Sequence, residues 1–212
     1  MNKKALDLTT WNRKEHYEFF GAFDEPFFGI VSTVDFTKGY QKIRENGYSY
    51  FLYYLHKAVK AANNIEPFRY RIEDDMVYVY DQVHASATIG REDHTFGFSF
   101  MKFNKNFNEF EKNALKEIEA VKNTTGLRHN ENAKRKDSLH ISSIPWYNFT
   151  SISHARHFHY KDSVPKISFG KYTKKGEEMQ LPISIHVHHG LMDGYHVGLY
   201  LEEFQRLLNE DL

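Results

Sequence analysis

The run Leu181-Pro182-Ile183-Ser184-Ile185-His186-Val187-His188-His189-Gly190-Leu191-Met192-Asp193-Gly194-Tyr195-His196 is the stretch from which the fold of this chain is read. Its first half alternates. Ile183, Ile185 and Val187 are separated by Ser184, His186 and His188, the period of two that side chains follow on a pleated strand. Gly190 and Asp193-Gly194 break the alternation, and apolar residues then return at helical spacing as Val197, Tyr200, Leu201, Phe204, Leu207 and Leu208. The pattern predicts a strand ending at His189 and a helix beginning at Asp193. A histidine there can take a proton near neutral pH, provided a neighbour fixes its tautomer and orientation. Asp193 is too near in an extended chain to meet it; in a turn it is free to brace the turn, cap the helix or accept a buried arginine. The paired histidines also read as ordinary polar residues of a half-exposed strand, and Asp193-Gly194 as a plain turn. Metal ligation by His186, His188, His189 and His196 together is disfavoured, because alternation sends His186 and His188 to one face and His189 to the other.

Size and composition bound the remaining possibilities. With 212 residues the chain suffices for one domain with a sizeable core and is short for two, so residues 1–212 are read as a single domain. Lys plus Arg and Asp plus Glu each number 28, which leaves no net field drawing nucleic acid or an anionic membrane. The 18 Phe and 14 Tyr are a heavy aromatic load, suited to core, subunit contacts and an aromatic ligand pocket. Cysteine is absent, which excludes a disulfide framework, a thiolate nucleophile and a cysteine zinc site. Met1-Asn2-Lys3-Lys4 leads into no apolar run of the signal-peptide kind, and no stretch approaches membrane-spanning length, so a soluble cytoplasmic protein is expected.

Along the chain, Trp11 to Phe20 reads as a short helix capped by Thr9 or Thr10, and Phe27 to Val34 as a strand. Thr37 to Glu45 and Tyr50 to Ala62 follow as helices, the second more apolar through Leu52, Leu55, Val59 and Ala62, and stopped by Asn63-Asn64 and Pro67. Phe68 to Ile72 and Met76 to Tyr80 form a hairpin around the acidic turn Glu73-Asp74-Asp75. Ala85 to Ile89 and Thr95 to Phe103 are extended, Phe107 to Lys122 is a long amphipathic helix, and Arg128 to Asp137 is a polar loop. Ser138 to Ile144 and Val164 to Tyr172 are strands, and a hairpin through Lys174 to Glu177 leads into the key strand. Hairpins without regular strand–helix alternation predict an α+β fold: a large mixed, mostly antiparallel sheet with helices packed on it.

The string His188-His189-x-x-x-Asp193-Gly194 resembles the signature of a CoA-dependent acyltransferase superfamily. With Tyr195-His196-Val197-Gly198 added, it looks most like the chloramphenicol acetyltransferases of the trimeric type. Trp11-x-Arg13-x-Glu15-His16-x-x-Phe19 resembles that family's opening helix, and Ile141-Ser142-x-x-Pro145-Trp146-x-Asn148-Phe149 its serine-bearing strand. Ser163-x-Pro165-x-Ile167-Ser168-x-Gly170-Lys171-Tyr172 resembles the strand before its last hairpin, so the likeness runs in order along nearly the whole chain.

The resemblance implies a general base at His189, which takes the acceptor hydroxyl's proton as the oxygen attacks the thioester of acetyl-CoA, with no acyl-enzyme. It implies a hydrogen bond from Ser142 to the oxyanion, worth about 3–4 kcal/mol of barrier, and a buried Arg13–Asp193 pair shaping the loop. Ser168, where threonine is usual, would reach the reacting centre through water. Lys171, Tyr172 and Trp146 fall where CoA binds, and Phe19, Phe20, Phe96, Phe98, Ile152 and His154 where the acceptor is held. Several of these depart from the family: Phe20 replaces a common tyrosine, Ile152 a phenylalanine and His154 an apolar leucine, while Phe98 crowds the site. The implied protein is a homotrimer with active sites between subunits, using acetyl-CoA as co-substrate and no metal, and acetylating chloramphenicol at its primary hydroxyl. Two alternatives stand beside it: the same chemistry on another small hydroxyl or amine acceptor, and a drug-binding protein without chemistry.

Overall fold

In the computed structural model, which describes residues 2–210, the strand opened by Glu178 runs unbroken to His188 and lies inside a mixed sheet. Ten strands and five helices are named in chain order. The first half of the chain contributes β1 (Lys3–Ala5), α1 (Lys14–Gly21), β2 (Phe27–Asp35), α2 (Thr37–Asn46), α3 (Tyr50–Asn64), β3 (Tyr70–Glu73), β4 (Met76–Tyr80), β5 (His84–Gly90) and β6 (Phe96–Phe98). The second half contributes α4 (Phe107–Lys122), β7 (Ser138–Ile144), β8 (Lys166–Gly170), β9 (Thr173–Lys175), β10 (Glu178–His188) and α5 (Gly194–Asn209). A large sheet has the order β2-β10-β8-β7-β5-β6, with β9 paired to β10. Only β5–β7 and β7–β8 are parallel pairs among these; β10 is antiparallel to β2, β8 and β9, and β5 to β6. A small sheet, β1-β4-β3, closes one end through a tight turn in which Asp74 and Asp75 both adopt positive φ, a conformation short acidic residues tolerate. Among the described residues no helix is long and apolar enough to cross a membrane.

Alternation along β10 sorts its side chains as expected. Leu181, Ile183, Ile185 and Val187 are fully buried and join one core cluster with Leu52, Leu55 and Val59 of α3 and with Tyr200, Phe204 and Leu207 of α5. Phe169 of β8, opposite Ile183, touches Tyr54 and Phe204 with ring centroids 4.6 and 5.8 Å away. Each such side chain contributes roughly 1.5–3 kcal/mol by leaving water. Ser184, His186 and His188 point to the other face, in register with Lys166 and Ser168 of β8 and His140 and Ser142 of β7. Gly29 of β2 pairs with His186, and a Cβ there would fall 2.3 Å from the imidazole Nε2, so only glycine lets that ring lie across the strand.

Several boundaries differ from the sequence reading. The first helix begins at Lys14 rather than Trp11, and neither Thr9 nor Thr10 caps it; both hydroxyls donate to the carboxylate of Asp7 instead. Arg13 occupies the cap position without capping, because its guanidinium is used elsewhere. Phe68 lies in a 3-10 turn (Glu66–Arg69) that Pro67 favours, with its ring stacked on Tyr200 at 4.4 Å, rather than in a strand. The helix read as ending at Ala62 continues to Asn64, where the Asn63 amide donates to the carbonyls of Val59 and Val83. From Thr95 to Phe103 the chain is a regular strand only over Phe96–Phe98, although Ser99 and Met101 still donate to Ala87 and Ala85 of β5.

Candidate active site

The turn after β10 is held from three directions. The His189 amide donates to the Pro26 carbonyl at 2.8 Å, tying the strand end to the loop before β2. His188 is buried, which lowers its pKa to about 4; its neutral Nδ1 accepts from the Gly190 amide at 3.1 Å. Arg13, nine-tenths buried, donates through Nη1 to Asp193 Oδ2 at 2.6 Å and through Nη2 to the His189 carbonyl at 3.0 Å. Asp193 therefore does two of the things its position allowed. Its Oδ1 caps α5 by accepting from the Tyr195 amide at 3.0 Å and lies 2.8 Å from His196 Nδ1, while Oδ2 takes the arginine. Burial works against the charge of Asp193, but hydrogen bonds from His196 and Arg13 prevail and hold its pKa at about 2.

The His189 ring stands half-buried above this turn, between aromatic faces. Phe20 of α1 stacks on it at 4.0 Å with an interplanar angle of 15°, and Phe28 of β2 packs at 4.6 Å and 46°. Phe19 is largely exposed and meets Phe20 edge-on. His189 Nδ1 is buried and unpartnered among the described residues. Phe28 was missed in the sequence: nothing there reveals that β2 lies antiparallel on β10 with Phe27 opposite His188. Among the described residues no group of three or more His, Cys, Asp or Glu stands at metal-holding spacing.

Ser142 sits elsewhere. It is half-buried on β7 and pairs in register with Ser168, which pairs with Ser184 of β10. Ser168 is fully buried and its Oγ has no partner among the described residues. Beside Ser142 lies a cavity of about 480 Å³ that also gathers Phe96, Phe98, His154, His140 and Lys166. Ile152 is half-buried and flanks this region, its backbone hydrogen-bonded by His186. Two strands and five residues separate the register position of Ser142 from His189, roughly 20 Å at standard sheet spacings. Within one chain the two cannot act on the same atom.

A family model for chloramphenicol acetyltransferase matches residues 1–205. The chain belongs to the chloramphenicol acetyltransferase family. Chloramphenicol acetyltransferase 3 of Escherichia coli is 29% identical over 214 residues, covering 100% of both chains. A solved chloramphenicol acetyltransferase shares the fold with a TM-score of 0.91 at 29% identity, over 98% of this chain and 100% of that one. A probable dihydrolipoamide acetyltransferase from Listeria monocytogenes has a TM-score of 0.66 at 12% identity, over 92% and 88% of the two chains, and is similar in fold alone. The expected α+β acyltransferase architecture is thus the one found.

A third region of this family member collects Lys171 and Tyr172 after β8. They line a cavity of about 340 Å³ with Tyr50, Phe51 and Tyr54 of α3 and with Pro145. Tyr172 stacks on Tyr50 at 5.4 Å and 22°, and the Tyr54 hydroxyl lies 2.8 Å from Ser143 Oγ. Trp146 is 72% exposed next to Pro145 and lies outside that lining. Tyr50 and Tyr54 were not singled out in the sequence, although their i,i+4 spacing places them on one helix face. His140 was also passed over, and there the signal existed: two residues before Ser142, it must share that serine's face.

Proposed function

We propose that this protein transfers the acetyl group of acetyl-CoA to the primary hydroxyl of chloramphenicol, inactivating it, with His189 as general base. The observation that carries the reading is the double grip of Arg13, which fixes both the Asp193 carboxylate and the His189 carbonyl. A side chain on a turn so held is positioned before any substrate arrives. His189 Nε2 removes the hydroxyl proton as the oxygen attacks the thioester carbon; Ser142 donates a hydrogen bond to the oxyanion; the tetrahedral intermediate collapses with release of the CoA thiol. Lys171, Tyr172 and Trp146 are assigned to CoA, which supplies the acetyl group, and no metal takes part. Ser168 Oγ, buried without a partner among the described residues, suits a hydroxyl that reaches the reacting centre through a water. Phe19 and Phe20 wall the acceptor on the base's side, and Phe96, Phe98, Ile152 and His154 hold it on the serine's side.

The separation of His189 from Ser142 supports a homotrimer in which the base of one subunit faces the serine of its neighbour, as a closed ring allows. Residues 1–212 act as one domain on this reading, since side chains of both sheets join one core. The site of action is the cytoplasm, where acetyl-CoA is available. Thiol release from acetyl-CoA on adding chloramphenicol tests the activity; a rate no higher than that of His189→Ala rejects it. Co-expressing His189→Ala with Ser142→Ala tests the shared site. The co-expressed population recovers about a quarter of native activity if base and serine come from different subunits, and none if each protomer works alone.

A specific observation favours a second reading. His154 and Phe98 shape the pocket beside Ser142, so the same mechanism on a different small hydroxyl or amine acceptor predicts slow chloramphenicol turnover and faster turnover of that compound. A drug-binding protein without chemistry has no use for the braced base; tight chloramphenicol binding without product would restore it.

A further inference from the structure

The pocket beside Ser142 has no carboxylate in its lining. The phenyl rings of Phe96 and Phe98 form one wall, and the polar face of the sheet forms the floor, where His140 and Lys166 stand in register on β7 and β8. His186 pairs with Lys166 on the next strand, so three basic side chains lie side by side. His154 comes in from residues 145–165 and sets its ring edge-on to His186, with centroids 4.7 Å apart. Asp162, outside the pocket lining, already pairs with the Lys166 ammonium. Burial lowers the pKa of both His140 and His154 to about 4, so each is a neutral imidazole at pH 7 with one N–H to donate. His154 Nε2 is buried with no hydrogen-bond partner among the described residues, a state that costs free energy until something supplies one.

We infer that this end of the pocket recognises oxygen: it takes an aromatic acceptor whose ring rests on Phe96 and Phe98 and whose ring substituent carries neutral hydrogen-bond-accepting oxygens, as a nitro or sulfonyl group does. His154 is then a specificity-determining residue, an assignment that rests on the acetyl-transfer reading of the site. A thioether or a bare ring fills similar space but leaves the imidazole unpaired, and sites built to hydrogen-bond discriminate strongly against partners that cannot. A carboxylate fits less well, because the one ammonium of the lining is already paired and the added charge would be desolvated.

The test compares chloramphenicol with analogues in which methylsulfonyl, methylthio or hydrogen replaces the para-nitro group. KM is measured with acetyl-CoA on the native protein, and Kd by calorimetry on His189→Ala, which binds without turnover. The nitro and methylsulfonyl compounds are expected to bind about tenfold more tightly than the other two, the span of one hydrogen bond. In His154→Leu the difference falls to about twofold or less because the oxygen-bearing pair weakens, and His154→Gln, which keeps a side-chain donor, restores most of it. No ranking in the native protein, an unchanged ranking in His154→Leu, or equal weakening of all four compounds overturns the inference. A ranking that appears in Kd while the native protein releases no thiol keeps this inference and removes acetyl transfer.

Discussion

The turn bearing His189 and the pocket beside Ser142 are held together by different means. At the turn, charge meets charge: Arg13 pairs with Asp193 and a carbonyl, and the imidazole is sandwiched between Phe20 and Phe28, although Arg13 Nε and His189 Nδ1 are buried without partners among the described residues. Around Ser142, Ser168 Oγ and His154 Nε2 are buried without partners among the described residues, and three imidazoles gather about one ion pair. The difference teaches that the His189 turn is oriented by an ion pair and stacked rings of its own chain, whereas the Ser142 pocket gathers imidazoles around an ion pair that lies at its edge.

The strongest way to break this contrast is at the base. His189→Ala is expected to lower kcat by about 10²–10⁴-fold, the range of a general base, with little change in chloramphenicol Kd by calorimetry; a loss of only a few-fold would show that another group takes the proton. Ser142→Ala should follow at about 10²–10³-fold in kcat with KM little changed, as for loss of one oxyanion donor. A rise in KM with kcat intact would make that serine a binding group instead.

Arg13→Leu probes whether the brace is as complete as it looks. It leaves Asp193 without its cation and should cost stability, short of the about 3–5 kcal/mol of a fully buried pair because Asp193 is partly exposed. Chemical denaturation reads the loss, and a midpoint equal to the native one would show the grip to be incidental.

Mild acid provides the smallest effect and sharpens the contrast from the other side. Burial lowers the pKa of His56 and His188 to about 4, and the half-buried His140 and His154 shift the same way. The unfolded chain binds these protons near pH 6.5 and the folded one does not, so stability is full above that pH and is lost as pH falls toward 4. At pH 6 each fully buried imidazole lowers stability by on the order of 1 kcal/mol. Denaturation midpoints should fall steadily from pH 7.5 to 5; a midpoint that rises on acidification contradicts the burial of these rings.

Much of the framework could be read before any coordinates. The alternation of Ile183, Ile185 and Val187 and the helical spacing of Tyr200, Phe204 and Leu207 are local consequences of backbone geometry, and both elements occur where the periods place them. Thr9 and Thr10 misled because a nearby acceptor, Asp7, competes for the same hydroxyls. The strand read from Phe68 begins only at Tyr70, because Pro67 favours a 3-10 turn over Glu66–Arg69. Phe28, Tyr50 and Tyr54 went unnoticed for a different reason: each matters only through what another segment brings to it.

Residue identity alone established a strand ending in paired histidines, a helix beginning at Asp193 and a family likeness along the chain, because periodicity, caps and motifs are properties of neighbours in sequence. Tertiary structure decided that Arg13 reaches Asp193 across the molecule, that Phe20 and Phe28 clasp His189, and that Ser142 lies two strands away from β10. Strand order and register set those relations, and they follow from which apolar faces bury one another, a long-range outcome that no local spacing encodes.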